Sequence, residues 1–397
     1  MAWTEQIGEH SWRVRYVGAN GRVASIGGFD SREAAEDYAL VVEGQQRQGV
    51  WVDPMRGRTT VAEWVDVWFD SLDVDERTRD NYASRLRCHI LPRWGDTRLI
   101  DISTLQVTSW ITSLHEDRRA RATVAGIVKL FSMMLTDAVD EDIIPFNPVR
   151  RRRHRGRRHH VPERERVWTT PEKVLRIADQ AEVLGGPGAG LLIVTAGWTG
   201  CRWGELAGLH RAKLRLDEGC LIVDGELGAL HESCHGRWLG PPKTASSARS
   251  VSLPPFLIAL LRNHLRRHPH EFVFTTESGT WLWRSTFSRR VLRPAVDGNL
   301  AITKPRVRTQ AIAPGLTFHG LRHSHKTWLI ADGVPEIAQA RRLGHHLDNR
   351  VVETYSHVAP EVERRLLHGL ERRWRKAVTI RSTRPVTILV DAERASA

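Results

Sequence analysis

Apolar positions recur along this chain with two different periods, and the changes of period divide it into units. The first stretch alternates. Trp12-Arg13-Val14-Arg15-Tyr16 and Arg22-Val23-Ala24-Ser25-Ile26 read as strands on either side of turn residues from Gly18 to Gly21. Ser31 then precedes Arg32 to Ala39, a run of good helix formers behind a capping hydroxyl. Residues 1–57 are therefore expected to form a small sheet-plus-helix module. Arg13 and Arg15 should share one strand face, because side chains at i and i+2 point the same way.

From residue 58 the period becomes helical. Val61, Trp64, Val65 and Trp68 follow Thr59 or Thr60 as cap. A second helix is expected from about Thr78 to Ile90, ended by Pro92. Ser103 caps a third, which carries Leu105, Val107, Trp110 and Ile111, and a fourth runs from about Thr123 to Val139. Residues 58–149 thus read as an all-helical bundle. The run Arg150-Arg151-Arg152-Arg153-His154-Arg155-Gly156-Arg157-Arg158-His159-His160 cannot be buried by a helix or a strand, so 150–168 is expected to be an exposed basic linker.

The last large unit, 169–377, opens with helices that include the fully apolar Leu191-Leu192-Ile193-Val194. Strand signals follow at Cys220-Leu221-Ile222-Val223 and at Arg249-Ser250-Val251-Ser252-Leu253, and helices dominate from Pro254 onward. Pro335 and Pro360 suit first-turn positions, and Gly333 and Gly344 suit helix C-caps. Val362, Leu366, Leu370 and Trp374 form an i+4 stripe that fits packing against a neighbouring subunit or within the chain itself. Residues 378–397 read as a tail. The expected fold class is mainly α with small β elements (α+β).

Composition narrows the partner. The 397 residues carry a formal net charge of +13, with a sequence pI near 10.3. That balance favours a polyanion, nucleic acid first, although a general bias toward arginine would give the same figure. The four cysteines, Cys88, Cys201, Cys220 and Cys234, make no CxxC pair and point to a reducing compartment. His231, Cys234 and His235 lie close in sequence, but a zinc site needs a fourth ligand and better spacing, so they read as loop residues. No apolar run approaches membrane-spanning length and the N-terminus has no leader pattern, so a cytoplasmic location is expected.

Four segments carry candidate chemistry. Arg202 stands in Thr199-Gly200-Cys201-Arg202-Trp203-Gly204-Glu205, where Gly200 permits a tight turn and places Arg202 at the start of a helix. A cation there opposes the helix dipole and suits a bound anion, while Glu205, three residues on, can orient it. Lys243 lies in Pro241-Pro242-Lys243-Thr244-Ala245-Ser246-Ser247-Ala248-Arg249, between two strand signals, and a lysine at a hairpin tip can reach a groove or act as an acid. His319 and Arg322 fall at i and i+3 on one helix face, with His323 and His325 directed elsewhere as structural residues. Leu343-Gly344-His345-His346 precedes Tyr355, the only tyrosine after Tyr82, by about ten residues, and Asp348 suits the cap of a helix carrying it. A phenol among fixed cations is a plausible nucleophile toward phosphate. Each signal alone has an ordinary reading: a surface Arg–Glu pair, an edge lysine, a polar helix face, a half-buried tyrosine.

Taken in order, these segments resemble the tyrosine recombinase family, specifically phage-type integrases. The family pattern is an Arg in a TGxRxGE turn, a hairpin Lys, HxxR, LGH and a Tyr about ten residues on, and all are present here: Arg202, Lys243, His319, Arg322, His345 and Tyr355. The order of the N-terminal units is also similar to integrases with an arm-binding module and a helical core-binding domain. The resemblance implies a site-specific recombinase that needs no cofactor and no metal. Tyr355 would attack the scissile phosphate to give a 3′-phosphotyrosine and a free 5′-hydroxyl. Arg202 and Arg322 would clamp the phosphate, Lys243 would protonate the leaving oxygen, His319 would assist proton transfer and His345 would hydrogen-bond the phosphate. The implied partners are double-stranded DNA, three further copies in a tetrameric synapse, and DNA-bending or directionality proteins. Two other readings stand beside it: a relaxing topoisomerase of the related tyrosine class, and a DNA-binding regulator with an inactive site.

Overall fold

The computed structural model describes residues 2–18, 21–48, 58–149, 167–233, 235–303, 305, 307–345, 358–383 and 389–390. The chain falls into two compact units, residues 1–160 and 161–397.

The first unit opens with an antiparallel meander of β1 (Ala2–Gly8), β2 (Ser11–Val17) and β3 (Val23–Phe29), followed by α1 (Arg32–Gln48). β1 was not foreseen, because its residues alternate only weakly; it pairs with β2 over nearly its whole length. Val14 on β2 is buried against Ala35 and Ala39 of α1, while Arg13 and Arg15 lie on the opposite face and both reach Glu5, at 2.9 and 3.3 Å. Arg22 sits just before β3, not within it.

A separate core belongs to α2 (Val61–Asp70), α3 (Glu76–Arg85), α4 (Leu91–Trp94), α5 (Thr104–Glu116) and α6 (Arg121–Asp140). Thr60 caps α2 and Ser103 caps α5, each in a reciprocal box with Glu63 or Gln106. Trp64 and Trp68 bury their rings and donate to Met134 O at 3.1 Å and to Asp137 Oδ2 at 2.5 Å. Pro92 does not end the second helix. A wide π turn over Leu86–Ile90 joins α3 to α4 and shifts the hydrogen-bond register, so the ring sits in the first turn of α4, where its missing N–H matters little. Among the described residues only α6 is long and apolar enough to cross a membrane. It is the central helix of this bundle, with Ile127, Phe131, Met134 and Leu135 fully covered.

In the second unit, α7 (Pro171–Gly185) packs on α8 (Pro187–Thr199), which is buried on nearly every side, and the short α9 (Trp203–Ala207) follows. β4 (Leu214–Arg215), β5 (Cys220–Val223) and β8 (Arg249–Ser252) form one antiparallel sheet. Between β5 and β8 lies a second hairpin, β6 (Ala229–Glu232) with β7 (Arg237–Gly240). Helices α10 (Pro255–Arg266), α11 (Arg284–Phe287) and α12 (Arg293–Asp297) lead to β9 (Val307–Arg308), α13 (Phe318–Ala331), α14 (Glu336–Leu343) and α15 (Pro360–Thr383), and β10 (Leu389–Val390) pairs with β9. The stripe on α15 packs within its own unit. Leu366 and Leu370 are buried, Trp198 Nε1 donates to Leu370 O at 3.1 Å, and Trp374 stacks on Phe256 with centroids 4.1 Å apart. Of the two settings expected for this stripe, Leu366, Leu370 and Trp374 take the one within the chain itself. The linker residues 150–166 lie outside the described residues.

Candidate active site

Two left-handed glycines shape the site. Gly200 ends α8 with φ 68°, and Gly344 ends α14 with φ 65°. A Cβ on Gly200 would stand 2.8 Å from the His325 ring, and one on Gly344 would stand 2.9 Å from the Ser246 carbonyl oxygen, so both positions exclude side chains on conformation and on space. These two turns bring three distant arginines to the C-terminal end of α14.

There, three successive carbonyls each accept from a different guanidinium. Arg342 O accepts from Arg249 Nε at 2.7 Å, Leu343 O accepts a short bond from Arg322 Nη2, and Gly344 O accepts from Arg202 Nη2 at 3.4 Å. The last carbonyls of a helix lack intrahelical donors and carry the negative end of its dipole, so cations collect there.

Arg202 precedes α9 and keeps 23% of its side chain exposed. Its Nη1 donates to Glu205 Oε1 and to Ser247 Oγ, both at 2.8 Å, and its backbone N–H donates to Glu205 Oε2 at 2.9 Å. Burial alone would raise the Glu205 carboxyl, but Arg249 and the hydrogen bonds from both arginines outweigh it and hold the group below the ordinary carboxylate range. Arg322, on α13, is buried. Its Nη1 donates to Gly200 O at 2.7 Å and its Nη2 also donates to His345 Nε2 at 2.8 Å. Burial and the like charge of Arg202 lower it to about 10, which leaves it a cation at neutral pH.

His345 lies at the surface beside this pair. Loss of water around part of its ring, and then the Arg322 and Arg202 guanidiniums, press it down to about 4. The ring is therefore neutral at pH 7. With Nε2 accepting from Arg322, the proton is assigned to Nδ1, which is left to donate.

The structure thus brings Arg202, Arg322 and His345 into one hydrogen-bonded cluster. His319 is exposed in the first turn of α13, three residues before Arg322, and its ring packs edge-on to His323 at 4.8 Å. Lys243 is exposed and is not at a hairpin tip. The unforeseen hairpin pairs β6, ending at Glu232, with β7, starting at Arg237, and Lys243 follows β7 in the loop to β8. Its neighbour Thr244 hydrogen-bonds Ser247 Oγ at 2.9 Å, one step from Arg202. Tyr355, His346 and Asp348 lie outside the described residues. His231 proves to be a strand residue, stacked on Trp238 and hydrogen-bonded to Pro241 O at 2.8 Å, and Cys234 is outside the described residues.

Three supporting residues were not singled out from sequence. Arg249 lies two residues before Val251 on β8, in the inward phase of the strand, and an arginine there must find a buried acceptor. Arg342 is also buried. It donates from Nε to His325 Nε2 at 3.0 Å, from Nη1 to Ser252 O at 3.0 Å and from Nη2 to Trp198 O at 3.1 Å. Its signal was its place one helical turn after buried Ala338. Ser247, fully buried beside Arg202, gave no signal at all. His325 is buried as expected, bonded through Nδ1 to Gly197 O at 3.0 Å, and burial followed by Arg342 holds its ring far below 6.5 and neutral.

Comparison with known proteins adds an independent line. Residues 168–361 match the model of the phage integrase family, and residues 60–115 match that of the phage integrase N-terminal SAM-like domain; together they span well over half the chain. The integrase of Mycobacterium phage L5 is 25% identical over 340 residues, 80% of this chain and 82% of that protein. Part of the Tn1549 transposon integrase, solved in complex with a circular intermediate DNA, superimposes with a TM-score of 0.60 at 18% identity over 79% of this chain and 99% of that one. A lambda integrase from a tetramer bound to a Holliday junction gives 0.53 at 20% identity over 89% and 99%.

Proposed function

We propose that this chain, which belongs to the phage integrase family of tyrosine recombinases, cuts and rejoins double-stranded DNA at specific sites through a 3′-phosphotyrosyl link to Tyr355. The observation that carries the proposal is the gathering of Arg202, Arg322 and His345 at the end of α14, from three segments more than a hundred residues apart in sequence at the extremes.

The chemistry follows from the charges. Attack by the Tyr355 phenolate on a phosphodiester places two negative charges on a five-coordinate phosphorus. Fixed cations lower that barrier because they need no reorganisation as charge develops. Arg202 is partly exposed and its Nη2 bond to Gly344 O, at 3.4 Å, is long enough to yield to a phosphate oxygen. Arg322 is held from behind by two carbonyls and supplies a fixed charge. Neutral His345 donates from Nδ1 to a non-bridging oxygen. Lys243, on an exposed loop tied to the Arg202 network through Thr244, protonates the departing 5′ oxygen, and His319 takes or steers the phenol proton. The new phosphotyrosyl bond conserves the energy of the broken one, so the 5′-hydroxyl of a partner strand can reverse the step.

The remaining assignments follow the same reading. Residues 1–57, with their own small core, serve as the arm-type DNA-binding module, 58–149 as the core-binding bundle, 150–168 as a phosphate-contacting linker and 169–377 as the catalytic domain. Four copies assemble on DNA in the cytoplasm, with DNA-bending or directionality proteins as further partners. The test uses nicked suicide duplexes taken from the DNA flanking this gene. Wild-type protein should form a covalent adduct, and Tyr355→Phe should bind the same duplex and form none. An adduct of normal yield from Tyr355→Phe contradicts the mechanism.

A further inference from the structure

Glu205 is a problem for the site as described. Its carboxylate, with 2% of the side chain exposed, lies 2.8 Å from the guanidinium meant for the phosphate. At that distance and depth, one carboxylate would neutralise most of the Arg202 charge. The structure supplies a second cation. Arg249, with 6% of its side chain exposed, forks onto both oxygens of Glu205, Nη2 to Oε2 at 3.0 Å and Nη1 to Oε1 at 3.3 Å. The same guanidinium donates to Ser247 O and to Arg342 O, both at 2.7 Å, so it is tied to the turn that holds Arg202 and to the end of α14.

Resting on the recombinase reading, we propose that Arg249 is a positioning residue: the buried counter-cation of Glu205, whose presence leaves the Arg202 charge free for the scissile phosphate. Arg249 is too buried to touch DNA itself. Three guanidiniums, Arg202, Arg249 and Arg322, face one carboxylate, which leaves two positive charges to meet the two negative charges of the transition state. Without Arg249 one remains.

The test compares single-turnover cleavage of a suicide duplex by wild type, R249Q, R249K and the double variant E205Q/R249Q, with DNA affinity and thermal melting measured in parallel. R249Q should cleave roughly 10- to 100-fold more slowly at saturating DNA, with affinity within about threefold of wild type. Removing the orphaned carboxylate as well should restore the balance, so E205Q/R249Q should cleave about tenfold faster than R249Q. A purely architectural role predicts the reverse, a double variant no faster than the single one, and that result would overturn the proposal. If R249Q does not fold, R249K decides: it keeps the charge and loses the fork, so cleavage within about fivefold of wild type is expected, and a larger loss in a folded R249K contradicts a charge-balancing role. The two readings fail separately. No adduct from wild type overturns the recombinase assignment itself; normal cleavage by folded R249Q overturns only the role of Arg249.

Discussion

In the C-terminal unit, the side chains of Arg249, Arg322 and Arg342 are buried and aim their donors at backbone carbonyls, at the Glu205 carboxylate and at the rings of His345 and His325. In the N-terminal unit, Arg13 and Arg15 are partly exposed and Arg32 and Arg47 mostly exposed, and they pair with glutamates one strand away or one helical turn away, with Arg15 and Arg32 also lying over the Trp3 and Trp12 rings. Both sets carry the same charge at pH 7, yet they are suited to different work. A guanidinium fixed from several sides keeps its place as a reaction develops charge beside it, and few of its contacts can change without a cost. One on a long exposed stem adds to the long-range field of a basic protein, is screened by salt, and adapts to whatever phosphate arrives. On the proposed reading, the contrast separates a part of the chain suited to holding one atom in place from a part suited to holding DNA.

Substituting within the two sets should sharpen this contrast. The largest effect is expected at Arg322→Lys. A point charge cannot reproduce donation to Gly200 O, Leu343 O and His345 together. Single-turnover cleavage should fall by ~10²-fold or more, and the domain should lose about 1–3 kcal/mol from the carbonyls left without a donor. Equal cleavage by this variant would remove Arg322 from the clamp. Arg202→Lys should lose a similar factor in cleavage but less stability, since Arg202 is partly exposed.

A smaller effect should appear on acidification. His325 is neutral in the folded state because burial and Arg342 depress it far below 6.5, whereas the unfolded chain takes up a proton near that value. The unfolded state then binds more protons below about pH 6.5, so stability is fully present above that pH and declines as pH falls through it. His345, depressed to about 4, acts in the same direction. Thermal melts at pH 8, 7, 6 and 5.5 should show the C-terminal unit weakening over that range, and His325→Gln should flatten the slope even if it melts lower throughout. An unchanged slope in the variant would mean other groups set it.

The smallest effect should come from the exposed set. Arg13→Gln with Arg15→Gln removes two surface pairs with Glu5, and stability should move by less than about 1 kcal/mol. Core-site cleavage should stay at the wild-type rate, while recombination between full sites should weaken most at low salt, where the lost charges are least screened. A loss of core cleavage would break the division of labour drawn above.

Much of this was legible in the sequence for reasons that can be named. Arg202, Arg322 and His345 announced themselves because each sits beside a conformational marker: Gly200, a helix of mixed polarity, and Gly344. The helices of the bundle were equally plain, since Trp64, Trp68 and Trp110 repeat at helical spacing behind real caps at Thr60 and Ser103. What was hidden depended on partners far away in the chain. Nothing local to Arg249 says that its carboxylate is Glu205, 44 residues earlier, and nothing local to Arg342 names Trp198 O, 144 residues earlier. The π turn before Pro92 was missed because a proline reads as a stop unless the register shift ahead of it is known. The α15 stripe was ambiguous because an apolar face does not say what covers it; Trp198 and Phe256 do.

The central claim is that the arginine cluster serves a phosphodiester attacked by Tyr355, and the most direct measurement is the chemistry of the trapped link. The covalent complex formed on a suicide duplex, in excess chelator, is digested with protease and nuclease and the modified peptide is sequenced by mass spectrometry. The account predicts a 3′-phosphonucleotide on the phenolic oxygen of Tyr355 and a free 5′-hydroxyl on the released strand. A link at any other residue, or a 5′-phosphate on the protein, would contradict it.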